Sequence, residues 1–310
     1  MQGLTAIREG VQPSVSVRDF LILVLICLAW GLSNVVSKIV VGAWGVPPLA
    51  FAAIRFAVVV LATLPWLLPV PKPLWRILSV GLLMGGGNFA LLFIGLQTAT
   101  PSAAAVVVQV GVPITTLLSV VMLGERIGWR RAAGITLTLA GTLLVIWNPE
   151  GVAISRGLWF VVGAAAAGSL GAILMKQMEA INPLRFQAWV GFVSLWPLAA
   201  GSALFEHGQV ATMQAAGWPY VGAVAFSALV VSVAGHTTYF RLIQRYEANL
   251  LSPLTLMAPL TTIGLGVLIT GDRFDLRMAV GTALALTGVL IVALRRNHVA
   301  PLLLLLRERA

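Results

Sequence analysis

Asn34, Asn88 and Gln109 are side-chain amides set inside long apolar stretches, and His236 lies in another, followed by Thr237, Thr238 and Tyr239. An amide in hydrocarbon is unfavourable unless it is paired or faces a polar space. Two uses follow. The amides either bond between helices, or they line a pocket and bind the carboxylate or ammonium of a small amphiphile. His236 is the one ordinary titrating candidate at such depth, so it is either a hydrogen-bonded packing residue or a proton relay. Trp30 and Tyr239 are deep rings that an aromatic ligand could contact. Arg55 also falls inside an apolar stretch. Its long stem lets the charge snorkel to an interface, and contact with an anion is the alternative.

Other chemistries lack their residues. No GxxxxGK[ST] loop is present to cradle phosphates, so pumping driven by ATP on this chain is not expected. No HExxH motif or Cys/His cluster suggests a metal, and no cofactor is expected. All ten Asp and Glu residues lie in tails, loops or the ends of apolar runs, so no buried carboxylate offers itself for proton coupling.

The elements that hold these residues are set by composition. Hydrophobic residues make up 59% of the chain and charged residues only 10%, with a mean hydropathy of +0.97. A soluble domain has about 25% charged residues, so a soluble globule is excluded. A disulfide-stapled scaffold is excluded by the single cysteine, Cys27. The net charge of +10 fits basic loops against anionic lipid headgroups better than nucleic acid.

A membrane-spanning helix needs about 20 apolar residues. Ten such runs can be read, at about 21–40, 47–69, 77–99, 102–123, 132–147, 157–178, 186–204, 218–240, 250–270 and 278–294. The expectation is an all-α integral membrane protein of ten transmembrane helices. Residues 1–19 form a cytoplasmic tail, 20–148 a first five-helix unit, 157–295 a second, and 296–310 a C-terminal tail. Counting the N-terminus and every second loop puts Arg8, Arg18, Lys72, Arg76, Arg126, Arg130, Arg131, Lys176, Arg185, Arg241, Arg245, Arg295, Arg296, Arg307 and Arg309 on one side. That leaves Lys38, Arg156, Arg273 and Arg277 on the other. The positive-inside rule then places both termini in the cytoplasm and the loop at 207–216 outside.

The two halves resemble each other. Gly124-Glu125-Arg126, Gly134 and Gly141 return as Gly271-Asp272-Arg273, Gly281 and Gly288, and Pro113-Ile114-Thr115-Thr116 returns as Pro259-Leu260-Thr261-Thr262. Five spans per half invert the second copy in the membrane, an architecture of secondary transporters. Pro113 and Pro259 sit near the centres of their spans, where proline removes a helix hydrogen bond. They are expected either as static kinks or as a symmetric pair of hinges. Glu125-Arg126 and Asp272-Arg273 are expected structurally as helix N-terminal acids with a local ion pair, or alternatively as latches at opposite gates.

Trp30-Gly31 with Asn34 and Lys38, Pro47-Pro48 with Arg55, and Pro113 followed by Gly124-Glu125-Arg126, Gly134 and Gly141 resemble the EamA-type drug/metabolite transporter superfamily over about residues 18–295. The chain looks most like that superfamily's YddG-type exporters of aromatic amino acids. Asp272 stands where the family usually has Glu, and Ser169 where a Gly would follow Trp. The resemblance implies a bacterial inner-membrane secondary transporter that exports aromatic or other neutral amino acids by alternating access. Its substrate-contacting candidates are Trp30, Asn34, Asn88, Gln109, His236 and Tyr239. Its partners would be a small-molecule substrate and lipid, not nucleic acid; its oligomeric state stays open, a monomer being compatible. An exporter of another metabolite or drug class, an intramembrane transferase and a channel are the alternatives.

Overall fold

The computed structural model describes residues 16–124, 127–147, 156–179, 181–246, 251 and 253–293. The regular structure among the described residues is all helical, with no strand. The helices are α1 (Val17–Ala43), α2 (Pro48–Leu67), α3 (Leu74–Thr98), α4 (Pro101–Leu123), α5 (Trp129–Ile146), α6 (Arg156–Lys176), α7 (Pro183–Phe205), α8 (Gln209–Ile243), α9 (Met257–Thr270) and α10 (Leu276–Ala293). Eight are long and apolar enough to cross a membrane. The exceptions are α9, which is too short, and α5, whose first turn carries Arg130 and Arg131.

Local chemistry sets the boundaries. Pro48, Pro101 and Pro183 open α2, α4 and α7, where a missing N–H costs nothing. The side chains of Ser16, Thr100 and Asn182 accept from the free N–H groups of α1, α4 and α7. Gly124 and Gly271 end α4 and α9 with φ of 68° and 67°, a left-handed conformation that disfavours a Cβ. The Gly-acid-Arg signature of the sequence therefore begins with a helix stop.

Two expected runs are differently built. Residues 207–216 were expected as a loop, but α8 starts at Gln209 as a helical piece and breaks at Gly217 (φ 61°, ψ −147°) before Trp218. The run at 250–270 is interrupted. Leu251, Pro253 and Leu254 are helical, Thr255 and Leu256 form a turn, and α9 begins at Met257. The cause is Pro259, which offers no N–H to the carbonyl of Thr255 four residues back. That carbonyl accepts instead from Ala258 N at 3.0 Å, three residues on. In α4 the same proline effect tightens Val108–Val110 into a 3-10 turn just ahead of Pro113.

Packing joins the two halves of the chain. Helices α5 and α10 meet through glycines. A Cβ on Gly134 would lie 2.8 Å from Gly288 O, and one on Gly141 would lie 2.5 Å from Gly281 O. Helix α1 packs on α9, where Gly31 lets Thr261 approach, and α6 packs on α4, where Ser169 Oγ donates to Gly111 O at 2.9 Å. On α3 the run Gly81–Gly87 is π-helical and sits against α7 and α6. Gly81 faces Val193, and Met84 fills the space beside Gly171. α8 carries a second π-helical stretch at Phe226–His236. Such widened turns are concentrated at functional sites. The largest apolar core holds Phe51, Phe56, Phe93, Phe186, Trp189 and Val224, drawn from both halves.

Candidate functional site

A cavity of about 540 Å³ opens among α1, α4, α9 and α10. Its inner wall is Trp30 and Asn34 on α1, Gln109 on α4 and Pro259 on α9. Along α4 it runs from Ala105 past Thr115 and Thr116 to Ser119, and at that end Arg131 and Lys176 flank it. The lining is thus apolar wall, hydroxyls and amides with two cations at one end. No acidic side chain among the described residues lines it. The volume suits a small organic molecule.

The amides do different work. Asn34 Nδ2 donates to Thr262 Oγ1 at 3.2 Å, a bond between α1 and α9, while its side chain also lines the cavity. Gln109 Nε2 reaches only its own helix, at Ala105 O, 3.4 Å away, which leaves most of its hydrogen-bonding capacity for a ligand. Asn88 lies elsewhere: its Nδ2 donates to Ala164 O on α6 at 2.7 Å. Together with His236 it lines a second, smaller chamber of about 180 Å³ walled by Phe56, Phe89, Phe186 and Phe240. Trp30 separates the two spaces. It lines the larger, its ring stacks on His236 of the smaller at 5.4 Å, and Tyr239 meets its edge at 5.0 Å. Trp30 Nε1 is buried without a partner, and His236 makes no hydrogen bond among the described residues.

Comparison with known proteins places this architecture. The profile of the EamA-like transporter family matches residues 19–147 and again residues 155–294. The chain belongs to the EamA-like transporter family. Proteins named probable amino-acid metabolite efflux pump, from Salmonella typhimurium and Escherichia coli, are each 26% identical over 88% of this chain and 94% of their own. A probable terminal-alkyne amino-acid exporter of Streptantibioticus cattleyicolor is 22% identical over 87% of this chain and 91% of its own. One solved crystal structure shares the fold at a TM-score of 0.59 and 21% identity, covering 88% of this chain and 96% of that one.

The remaining expected residues of this EamA-like transporter take other roles. Asp272 was expected as a helix N-terminal acid in a local ion pair with Arg273. Its carboxylate is instead buried and caps α4, accepting from Ser102 N at 2.9 Å and from Thr270 Oγ1 at 2.8 Å. Arg273 is exposed and forms no ion pair among the described residues. The free N–H groups of a helix start compete well for a carboxylate against a solvated arginine. Glu125 and Arg126 lie outside the described residues. Pro113 is buried in α4, and Pro259 lines the cavity. Arg55 does not snorkel: it is 1% exposed, with Nη2 and Nε donating to Ser232 Oγ at 2.9 and 3.2 Å.

Two acids escaped the sequence reading. Glu206 accepts from Leu49 N and Ala50 N at 2.8 and 2.9 Å, capping α2 from the end of α7. Asp19 accepts from Tyr246 Oη at 2.6 Å and from Arg245 Nη1 at 3.1 Å, tying the start of α1 to the end of α8. The only signal was position at a helix end; the partners are more than 150 residues away in the chain.

Proposed function

We propose that this transporter exports small amphiphilic metabolites, with aromatic or other neutral amino acids as its main substrates. The observation that carries the reading is the cavity itself. It runs from Trp30, Asn34 and Gln109 at mid-helix to Arg131 and Lys176 at one end, and it presents amides and hydroxyls without a carboxylate. A cationic side chain would have no acidic partner there, and an anionic one at mid-helix would lie away from the two cations at the end of the cavity; an unpaired charge in a low-dielectric cavity costs several kcal/mol. The two cations at the mouth favour entry of a carboxylate-bearing molecule. The names of the curated relatives agree with amino-acid-like cargo.

Alternating access is the mechanism, with ten spans arranged as two inverted five-helix repeats in the inner membrane and both termini in the cytoplasm. The double match of one family profile supports a repeat. So does the reciprocal pairing of α5 with α10, in which Gly134 meets Gly288 and its counterpart Gly281 meets Gly141. Reciprocal contact of this kind is what a two-fold axis produces. In this reading the cavity faces the cytoplasm. The far end is tied by Asp272 to the start of α4, by Glu206 to the start of α2, and by Lys38 Nζ to Gln97 O at 3.1 Å. The Trp30–His236 contact closes the inner end of the cavity. Pro113 and Pro259 are the places where α4 and α9 bend when access switches.

The test is flux in liposomes. Phe, Tyr or Trp should move faster than Asp, Glu or Lys, with saturation and counterflow. Equal or faster flux of lysine or glutamate removes the substrate assignment, and non-saturable flux removes the carrier mechanism. For orientation, a cysteine at Val210 should react with an impermeant thiol reagent in intact cells while one at Trp129 should not. Both positions are exposed, and native Cys27 is fully buried.

A further inference from the structure

Arg55 is a full positive charge that the cavity does not use. The guanidinium carbon lies 4.3 Å from the centroid of the Phe89 ring and 5.9 Å from that of Phe93. Ser232 Oγ takes Nε–H and one Nη2–H, and its own proton goes to Ser227 O at 3.1 Å, so its oxygen is oriented as an acceptor. Neither of the two ion pairs among the described residues includes Arg55, and Nη1 has no hydrogen-bond partner among them. A guanidinium has five N–H groups. Two are satisfied here, on the Nε–Nη2 edge; of the three that remain, one on Nη1 and one on Nη2 form the end-on fork, and the other on Nη1 points back toward Cδ. The Phe89 and Phe93 rings attract the cation through their π faces and offer no oxygen acceptor to the remaining N–H groups.

A buried cation without an anion is strongly unfavourable, and one retained inside a membrane protein marks a site of use. The in-plane fork is the geometry that a carboxylate fills bidentately. The smaller chamber shares residues with the surroundings of the guanidinium, although Arg55 itself is not part of the chamber lining. Phe56, next to Arg55 in the chain, and Phe89, the ring nearest the guanidinium of those named, both wall the smaller chamber, and His236 and Asn88 line the same chamber. Ser232 lies in the π-helical stretch that ends at His236. Phe89 thus borders both the cation and the chamber.

We propose that Arg55 is the carboxylate subsite of this transporter. A small monocarboxylate with an apolar body, having passed Trp30, sets its carboxylate on the Nη1/Nη2 fork while its apolar part rests against Phe56, Phe89 and Phe186. The proposal rests on the reading of the protein as an exporter of small amphiphiles and adds the chemical group that every good substrate must carry.

The test compares ligands that differ only at that group. Binding of phenylalanine and phenylalaninamide, and of 3-phenylpropionate and phenethylamine, is measured on purified wild type and on Arg55→Lys, Arg55→Gln and Arg55→Met. Wild type should prefer the acids. In the Gln and Met variants the acid preference should fall about 10- to 100-fold, with affinity for the non-acids nearly unchanged. Lys should be intermediate, because it keeps the charge and loses the fork. Equal wild-type affinity for acid and non-acid overturns the proposal. So does an acid preference that survives in folded Gln and Met variants, which would leave Arg55 as a tie between α2 and α8. If those variants do not fold, phenylglyoxal modification of Arg55 in wild type, read by mass spectrometry, replaces them. 3-Phenylpropionate should slow it and phenethylamine should not; equal rates overturn the assignment. The two readings fail separately. If acids bind through Arg55 but no amino acid binds or moves, the exporter reading falls and the subsite stands. If phenylalanine is moved and Arg55→Gln keeps its selectivity, the subsite falls and the exporter stands.

Discussion

Gly134 on α5 and Gly288 on α10 touch backbone to backbone: a Cβ on Gly134 would sit 2.8 Å from Gly288 O, and one on Gly288 would sit 2.5 Å from Gly134 O. Neither atom can retreat, because each belongs to a helix. Gly134→Ala and Gly288→Ala should therefore each lower stability by about 1–3 kcal/mol, and by similar amounts. Gly128→Ala, where nothing lies within 4 Å and φ is ordinary, should change little. Thermal unfolding in detergent checks all three; an unaffected Gly134→Ala would show that α5 and α10 are not this close.

Gln109 and Asn88 should separate in their effects. Gln109 bonds only its own helix at 3.4 Å and lines the larger cavity, so Gln109→Leu should leave stability within about 0.5 kcal/mol and raise KM roughly 10-fold. Asn88 is committed to Ala164 O at 2.7 Å, so Asn88→Leu should cost about 1 kcal/mol of stability. Transport kinetics together with unfolding of the same preparations decide the pair. An unchanged KM in Gln109→Leu would take that residue out of the site.

Asp272 acts as a helix cap, so its neighbour should be dispensable. Asp272→Ala should lower stability by about 1–2 kcal/mol, because Ser102 N loses its acceptor, while Thr270 Oγ1 keeps Gly266 O at 2.8 Å. Asp272→Asn, which still offers a carbonyl oxygen, should lose less. Arg273→Ala should be neutral within about 0.5 kcal/mol. If removing Arg273 costs as much as removing Asp272, the pair expected from the sequence is restored.

The prolines carry the dynamic prediction. Replacing Pro113 or Pro259 with Ala returns the N–H donor four residues on that Gln109 O or Thr255 O would take in a regular α-helix, and straightens the helix ahead of it. Substrate affinity should persist in both variants, while transport slows about 10-fold, equal to a barrier rise of ~1.4 kcal/mol. The two variants should shift cysteine accessibility at opposite ends of the bundle in opposite directions. Wild-type rates in both would reduce the prolines to packing features.

Much of the fold was legible in the chain because hydrocarbon imposes one rule on every span: apolar side chains outside and every backbone hydrogen bond made within the helix. That rule exposes the helices as apolar runs. The recurrence of Pro-x-Thr-Thr and Gly-acid-Arg pointed to a likeness of the halves, each of which the family profile matches, and Pro113 and Pro259 marked the irregular backbone within α4 and just ahead of α9. Trp30, Asn34 and Gln109 could be picked as polar or aromatic residues at depth, and they share one cavity. The sequence could not assign partners, because a partner depends on which helices become neighbours and on their rotation. Arg55 reads like a snorkelling residue until α3 and α8 enclose it with Phe89 and Ser232. Asp272 reads like half of a local ion pair until the start of α4 arrives beside it, 170 residues away in the chain. His236 and Asn88 are 148 positions apart and meet around one chamber only in the folded bundle. Periodicity and composition are properties of a segment and survive in one dimension; the environment of a charge is a sum over neighbours, and only the tertiary structure chooses them.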